Sequence, residues 1–373
     1  MPLFVYVLSL AVFAQGTSEF MLSGLVPGIA DDLSVSVAAA ASLTSAYAIG
    51  MVAGAPVMAG LSARWPRRRA LAVFLTAFVV AHVVGAVTHD FAVLFGTRVV
   101  AAVANAGFLA VAMSAAATVA GPGRQARATA VLIAGVTLSC VAGVPAGALL
   151  GQLSGWRSAF WAVAGLSLPA LFLVFRSAPV EPAGHVLVRK EFRVLLRWPV
   201  WHALVLAALV NGATFATFAY LAVVATAIPS GAVPALLAAF GAGAFVGVTV
   251  IGPSRHLVPV LFALPVGWLL LAVASPHPVT LFAMTVVQGA LSFGAGSALV
   301  NRVLSAAPEA PTLGGSFATV ALNIGAVLGP LLTGAIDHRH AMWLSSALSA
   351  VALVLLPLRG REPDDLRIVQ SGR

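Results

Sequence analysis

With one cysteine, one lysine and 11 acidic residues among 373 positions, this sequence excludes much before it suggests anything. The lone thiol, Cys140, lies inside an apolar run, so no intrachain disulfide is available and redox compartment is not legible. Charged residues make up 8% of the chain, against about 25% in an average soluble protein. A water-soluble fold this poor in charge would expose large apolar patches and aggregate. The short signatures of catalysis are also missing: there is no HExxH, no GxSxG, no Walker loop and no cysteine pair. An enzyme or an ATP-driven pump therefore has no support, and no cofactor is expected.

Hydrophobic residues account for 61% of the chain. The solvent that suits them is lipid, where a backbone must satisfy its own hydrogen bonds as helices or as a closed barrel. The apolar runs are roughly 18–25 residues long and do not alternate strictly, which is the length of membrane-crossing helices and not of barrel strands. Spans are expected at 3–26, 38–61, 70–87, 92–118, 127–151, 157–175, 199–226, 232–252, 257–274, 279–304, 313–335 and 341–357. The first run has no basic n-region and carries Glu19 in its apolar stretch, so it reads as an uncleaved span and not a signal peptide. The fold class is all-α, twelve transmembrane helices in two halves of six. The expected divisions are an N-terminal half at 1–176, a cytoplasmic linker at 177–198, a C-terminal half at 199–357 and a cytoplasmic tail at 358–373.

The net charge of +9 is explained by topology, with no appeal to nucleic acid. Seventeen of the 20 basic residues fall on the side that holds both termini and the 177–198 linker; Arg157 and Arg339 fall on the other, and Arg98 lies within a span. The positive-inside rule then places both termini in the cytoplasm of a bacterial cell, in its inner membrane, and requires an even number of spans. Weak repeats join the halves: Gly143 to Gly147 in the fifth span matches Gly325 to Gly329 in the eleventh, and Gly16 in the first matches Gly212 in the seventh. Repeated six-helix halves are a mark of transporters.

Ten of the 11 acids lie in loops, tails or membrane edges; Glu19 alone lies within the hydrocarbon. An ionised side chain there costs about 2.5–3.5 kcal/mol on insertion scales, which makes it a candidate functional group. Such a carboxyl can load and release a proton as its surroundings alternate between wet and dry. The bland alternative is a neutral acid hydrogen-bonded to a neighbouring helix. Arg98 either snorkels to the headgroups or faces a packed interior, and the small residues between it and Asn105 favour the interior. Gly143, Pro145, Gly147 and Gly151 provide small-residue spacing and a bend for close helix contact, which ordinary packing also uses. Tyr47, Asn105, Phe108, Asn211, Phe215, Tyr220, Gln288 and Asn323 are polar or aromatic groups within spans, suited to a pocket for an uncharged amphiphile or simply to helix packing. His338 and His340 share a short loop and read as solvated, not metal-binding.

Several strings carry a family resemblance over nearly the whole chain: residues Gly16 to Leu25, Asn105 to Ala112, Gly143 to Gly151, Asn211 to Phe215 and Ala310 to Phe317. With them the chain resembles the major facilitator superfamily, its twelve-helix drug:proton antiporters, and among these the actinobacterial chloramphenicol exporters. The resemblance implies proton-coupled efflux of chloramphenicol-like drugs and antibiotic resistance, driven by the proton gradient. Arg98, in Leu94-x-x-x-Arg98, matches an arginine assigned to proton coupling, and Gly143 to Gly151 matches the antiporter motif. Arg64, Arg67 and Arg68 match part of a basic gating loop, in which Ala59, Ala63 and Pro66 replace the usual glycine, aspartate and glycine. The loop near Arg255 is shorter than the family pattern. Expected partners are a small hydrophobic drug, protons and the bilayer, with the chain acting as a monomer. A sugar or broad multidrug exporter of the same superfamily is the alternative, and a non-transporting membrane scaffold or receptor a more distant one.

Overall fold

The structure is a computed structural model that describes residues 2–62, 65–121, 124–177, 194, 197–252, 257–307 and 313–356. Among these residues it is helical throughout, with no strand. Eleven helical stretches are long and apolar enough to cross a membrane. The helix expected as the twelfth, Ala341–Leu355, has 15 residues. Most of the expected linker, the tail, Arg64 and the short loop near Arg255 lie outside the described residues.

The first span is α1 (Leu3–Phe20) followed directly by α2 (Leu22–Asp32), longer than the expected 3–26 and broken at Met21. Two causes are local. Thr17 and Ser23 turn their hydroxyls back onto the Phe13 and Phe20 carbonyls, and Pro27 lacks the N–H that the preceding turn would have used. The next spans are α3 (Val37–Ser62), α4 (Arg67–Val87) and α5 (Phe91–Ala120). Asp90 caps α5 by accepting the Val93 N–H at 2.8 Å. The fifth span is α6 (Gln125–Leu138), one π-helical turn at Ser139–Gly143, and α7 (Val144–Ser154). The wide turn immediately precedes Pro145, whose ring cannot complete a regular α-helical ladder. Gly155 then turns the chain at φ 78°, a conformation open to glycine, into α8 (Trp156–Ser177).

The second half repeats the plan with α9 (Trp198–Phe218), α10 (Leu221–Val224), α11 (Val233–Val246), α12 (Leu257–Ala274), α13 (Pro278–Ala306), α14 (Leu313–Ile336) and α15 (Ala341–Leu355). The expected continuous span 199–226 is broken at Ala219 and Tyr220, the counterpart of the break at Met21. A second π-turn, Gly247–Ile251, follows α11.

Buried side chains gather into two clusters. One is drawn mostly from residues before Ser177, the other mostly from those after Val194. The two meet where α3 packs on α14, with the Ser45 hydroxyl donating to the Val327 carbonyl at 3.0 Å, and where α11 packs on α7 and the first π-turn. Outside, large apolar side chains such as Phe172, Phe262 and Val354 are exposed, as a lipid-facing surface requires.

The repeats seen in the sequence have a common structural role. Gly16 abuts Ser139, joining the first span to the fifth; Gly212 lies 3.5 Å from Gly325 on the same measure of close approach, joining the seventh to the eleventh.

Candidate functional site

Between the two clusters lies a cavity of about 290 Å³. Its first-half lining comes from α1, α3, α5 and α6, and its second-half lining from α9, α13, α14 and the π-turn after α11. Val12, Val300 and Thr319 mark its extent toward the face that holds the N-terminus. Above its opposite end stands a group of rings. Phe20 contacts Phe215 at 6.1 Å, Phe293 at 6.3 Å and Phe218 at 6.4 Å between centroids, and Phe240 closes the group against Phe218 and Phe293. Phe20 belongs to the first half and the other four to the second, so the rings bridge the halves. A polar contact on the same side also joins the halves: Gln152 donates to the Ser230 carbonyl at 2.5 Å.

Glu19 is half-buried and is the only ionisable residue in the cavity lining. Its neighbour Ser18 points elsewhere, because successive residues of a helix are rotated by about 100°. Ser18 is fully buried and meets two groups from other spans. Arg98 of α5 donates to the Ser18 hydroxyl at 2.9 Å and to the Ser18 carbonyl at 2.6 Å. His82 of α4 lies 2.7 Å from the same hydroxyl through Nε2, and its Nδ1 lies 2.7 Å from the Phe78 carbonyl. A carbonyl can only accept, so Nδ1 carries the proton and Nε2 accepts from Ser18. Arg98 is 1% exposed and therefore does not snorkel. Its guanidinium sits 4.6 Å over the Tyr47 ring and 5.6 Å over that of Phe160, contacts that help a desolvated cation. Among the described residues no ion pair joins it to Glu19.

The glycines of the fifth span form a seam against the first. A Cβ added at Gly143 would overlap the Thr17 side chain, one at Gly147 would stand 3.1 Å from the Met21 Cβ, and one at Gly151 would overlap Leu25. Positions 143, 147 and 151 thus face 17, 21 and 25, one helical turn at a time. The side chains of Thr17, Met21 and Leu25, on the span that carries Glu19, thus rest on the bare backbone of α7 and its π-turn. Pro145 sets the turn and does not enter the seam.

The polar and aromatic residues picked out in the sequence divide by the way their helices face. Asn105, Asn211, Phe215 and Asn323 line the cavity. Tyr47, Phe108, Tyr220 and Gln288 do not; all four are buried between helices. Tyr47 lies under Arg98, Tyr220 bonds to Pro330, and Gln288 donates to the Leu264 carbonyl at 3.2 Å. Sequence reasoning passed over Ser18, Phe20, His82 and Ser292. The last is buried and lines the cavity, with no hydrogen-bond partner for its hydroxyl. Serine and phenylalanine are too common in apolar helices to mark Ser18, Phe20 and Ser292, whereas His82 was findable as an ionisable side chain inside a span. Arg67 and Arg68 open α4, where positive charge opposes the helix dipole, and Arg67 reaches the Ser114 hydroxyl at 3.4 Å. No group of His, Cys, Asp and Glu among the described residues has the arrangement of a metal site.

Comparison with known proteins accords with this geometry. The sequence model of the Major Facilitator Superfamily matches residues 8–259. A chloramphenicol resistance protein of Streptomyces lividans is 48% identical, with 96% of this chain and 97% of that protein covered. The inner membrane transport protein YdhP of Escherichia coli strain K12 is 32% identical over 98% of each chain. Among solved structures, a bacterial homolog to the human lysosomal transporter Spinster, in an inward-facing and occupied conformation, superposes with a TM-score of 0.80. It covers 95% of each chain at 16% identity, a likeness of fold alone.

Proposed function

We propose that this chain, which belongs to the Major Facilitator Superfamily, is an efflux transporter that carries chloramphenicol-like drugs out of a bacterial cell in exchange for protons. The observation that carries the reading is the position of Glu19: a lone carboxyl in the wall of a cavity shared by both halves. The function of the 48% identical relative supports the cargo. With both termini cytoplasmic, as the arginine distribution favours, the cavity extends toward the cytoplasm and the phenylalanine group shuts the outer side.

The cavity chemistry suits such a cargo. Asn211 donates its amide N–H to the Leu322 carbonyl at 2.7 Å, and Asn323 to the Thr319 carbonyl at 2.9 Å. Each side-chain oxygen therefore remains an acceptor for a hydroxyl or amide N–H of the drug, while Phe20, Phe215 and Phe293 offer apolar faces to its ring.

In the exchange cycle, Glu19 takes a proton when the cavity faces outward and releases it toward the more alkaline cytoplasm. Drug and proton favour different states of one cavity, and that difference lets the gradient bias the cycle. The protein works as a monomer, its two halves rocking about the α3–α14 and α7–α11 contacts. No cofactor takes part.

The test is drug accumulation in a sensitive host. Expression should raise chloramphenicol tolerance and lower cellular chloramphenicol, and an uncoupler should abolish the difference. Unchanged tolerance with the protein present in the membrane would favour a sugar or broader multidrug cargo instead.

A further inference from the structure

We propose that His82 is a positioning residue for the exchange: through Ser18 it holds the Arg98 guanidinium on the helix backbone beside Glu19 and off the carboxylate itself. The proposal rests on Glu19 and Arg98 being the coupling pair. Its own ground is the buried relay of Phe78, His82, Ser18 and Arg98, which spans three helices.

Each link has a fixed direction. The Phe78 carbonyl fixes the proton on Nδ1 of His82, which leaves a lone pair on Nε2. That lone pair claims the single proton of the Ser18 hydroxyl, at 2.7 Å. The serine lone pairs are then turned toward Arg98, which donates to the hydroxyl and to the Ser18 carbonyl. Without an acceptor at Nε2, the Ser18 side chain would turn about χ1 to donate to a carbonyl of its own helix, carrying Oγ away from the guanidinium, which would keep only the Ser18 carbonyl. The cation would then be free to swing toward the adjacent Glu19 carboxylate. His82 is buried between the Phe78 and Phe160 rings, with centroids at 4.1 and 5.8 Å, so its ring has little freedom of its own. The charged group facing it is Arg98, from α5; a second cation at His82 would oppose it, so the relay uses a neutral imidazole.

Two amide substitutions separate the two nitrogens of the ring. His82→Gln places its carbonyl oxygen near the Nε2 position and can still accept from Ser18. His82→Asn reaches only as far as Nδ1 and cannot. In vesicles containing the whole transporter, two rates of labelled chloramphenicol are measured: transport driven by an imposed pH gradient, and exchange without one. His82→Asn should lower driven transport by about tenfold or more, as loss of a charge-assisted hydrogen bond does, and leave exchange nearly intact. His82→Gln should preserve both. Ser18→Ala should match His82→Asn, and the double variant should be no worse than either single one. Full driven transport by His82→Asn overturns the relay. So does a parallel fall of driven transport and exchange in both amide variants, which would make His82 a packing residue. Additive losses at positions 18 and 82 overturn it as well. Glu19→Gln in the same vesicles tests the underlying reading separately: if that variant is still driven by the gradient, the coupling assignment fails whatever His82 does. Nitrogen NMR of His82 in bilayers provides a readout independent of cargo. A proton on Nδ1 is expected, and one on Nε2 would overturn the proposal.

Discussion

Gly147 and Met21 stand so close that a methyl group on the glycine would lie 3.1 Å from the Met21 Cβ. Met21 is also the residue between α1 and α2, so the seam meets the first span at its break. Gly147→Ala should destabilise the protein by about 1–3 kcal/mol, the usual range for overpacking. Gly147→Leu should abolish export. Ala134→Leu, at an exposed site on the same span, should be nearly neutral. Thermal unfolding in detergent and drug accumulation read the three side by side, and normal export by Gly147→Leu would mean that close packing at the seam is dispensable.

Glu19→Gln keeps the shape and an amide able to hydrogen-bond, but cannot ionise. It should fold, reach the membrane and exchange labelled drug at close to the unmodified rate. Uphill transport driven by a pH gradient should be lost. Vesicles in which Glu19→Gln pumps as the unmodified protein does would make Glu19 structural.

At the exposed end of α2, beyond the apolar stretch of the first span, Asp32 accepts from the Arg157 guanidinium and from the Trp156 indole N–H at 3.1 Å. Arg157 also donates to the Thr88 carbonyl at 3.0 Å, tying three connections of the first half together. The Arg157 hydrogen bond holds the Asp32 carboxyl below its ordinary range. A depressed acid stabilises the fold above its unfolded pKa and ceases to as pH falls through the folded value. The Asp32 side chain is 44% exposed, so solvent screening limits the effect to about 0.5–1 kcal/mol at neutral pH. Asp32→Asn should lower the melting temperature at pH 7, and the difference from the unmodified protein should vanish well below about pH 4. A constant difference across that range would show that the ionised pair contributes nothing.

Sidedness is open to direct labelling. Tags at both termini and near Lys190 should be reached from the cytoplasm, and tags near Asp31, His89 and His338 from outside. Tyr220 stacks on His338, and the Gly334 turn approaches Ala38, so the outer tags belong to one face of the bundle. An external Lys190 loop would overturn the orientation.

Lipid makes a fold of this kind readable, because it demands long apolar helices and leaves few alternatives. The spans and the membrane class follow from that demand, and the glycines at 143, 147 and 151 were marked by spacing alone. The breaks at Met21 and Ala219 were not, since both lie inside runs long and apolar enough for one continuous span, and the hydroxyls and proline near Met21 occur in unbroken helices as well. The site was legible where chemistry is rare and opaque where it is common. Glu19 stands out as a lone acid and His82 could have stood out as a histidine within a span, whereas Ser18 gains meaning only from meeting His82 across 64 positions of sequence. For the same reason Tyr47, Phe108, Tyr220 and Gln288 could not be told from cavity residues: which way a helix is rotated is a tertiary fact.

On the proposed orientation, the outer closure is made of benzene rings, with no ion pair among them. Parting them wets Phe20 and its four partners, and that hydration penalty falls on every opening toward the outside. An empty carrier bears it in full. A greasy passenger wedged beneath the rings replaces part of the lost contact and lightens it; a polar one does not. If the proposed exchange holds, preference for oily cargo is in this way written into the door as well as the room behind it. Trimming Phe20 to a smaller side chain would then loosen discrimination between passengers even if no group that grips the drug were altered.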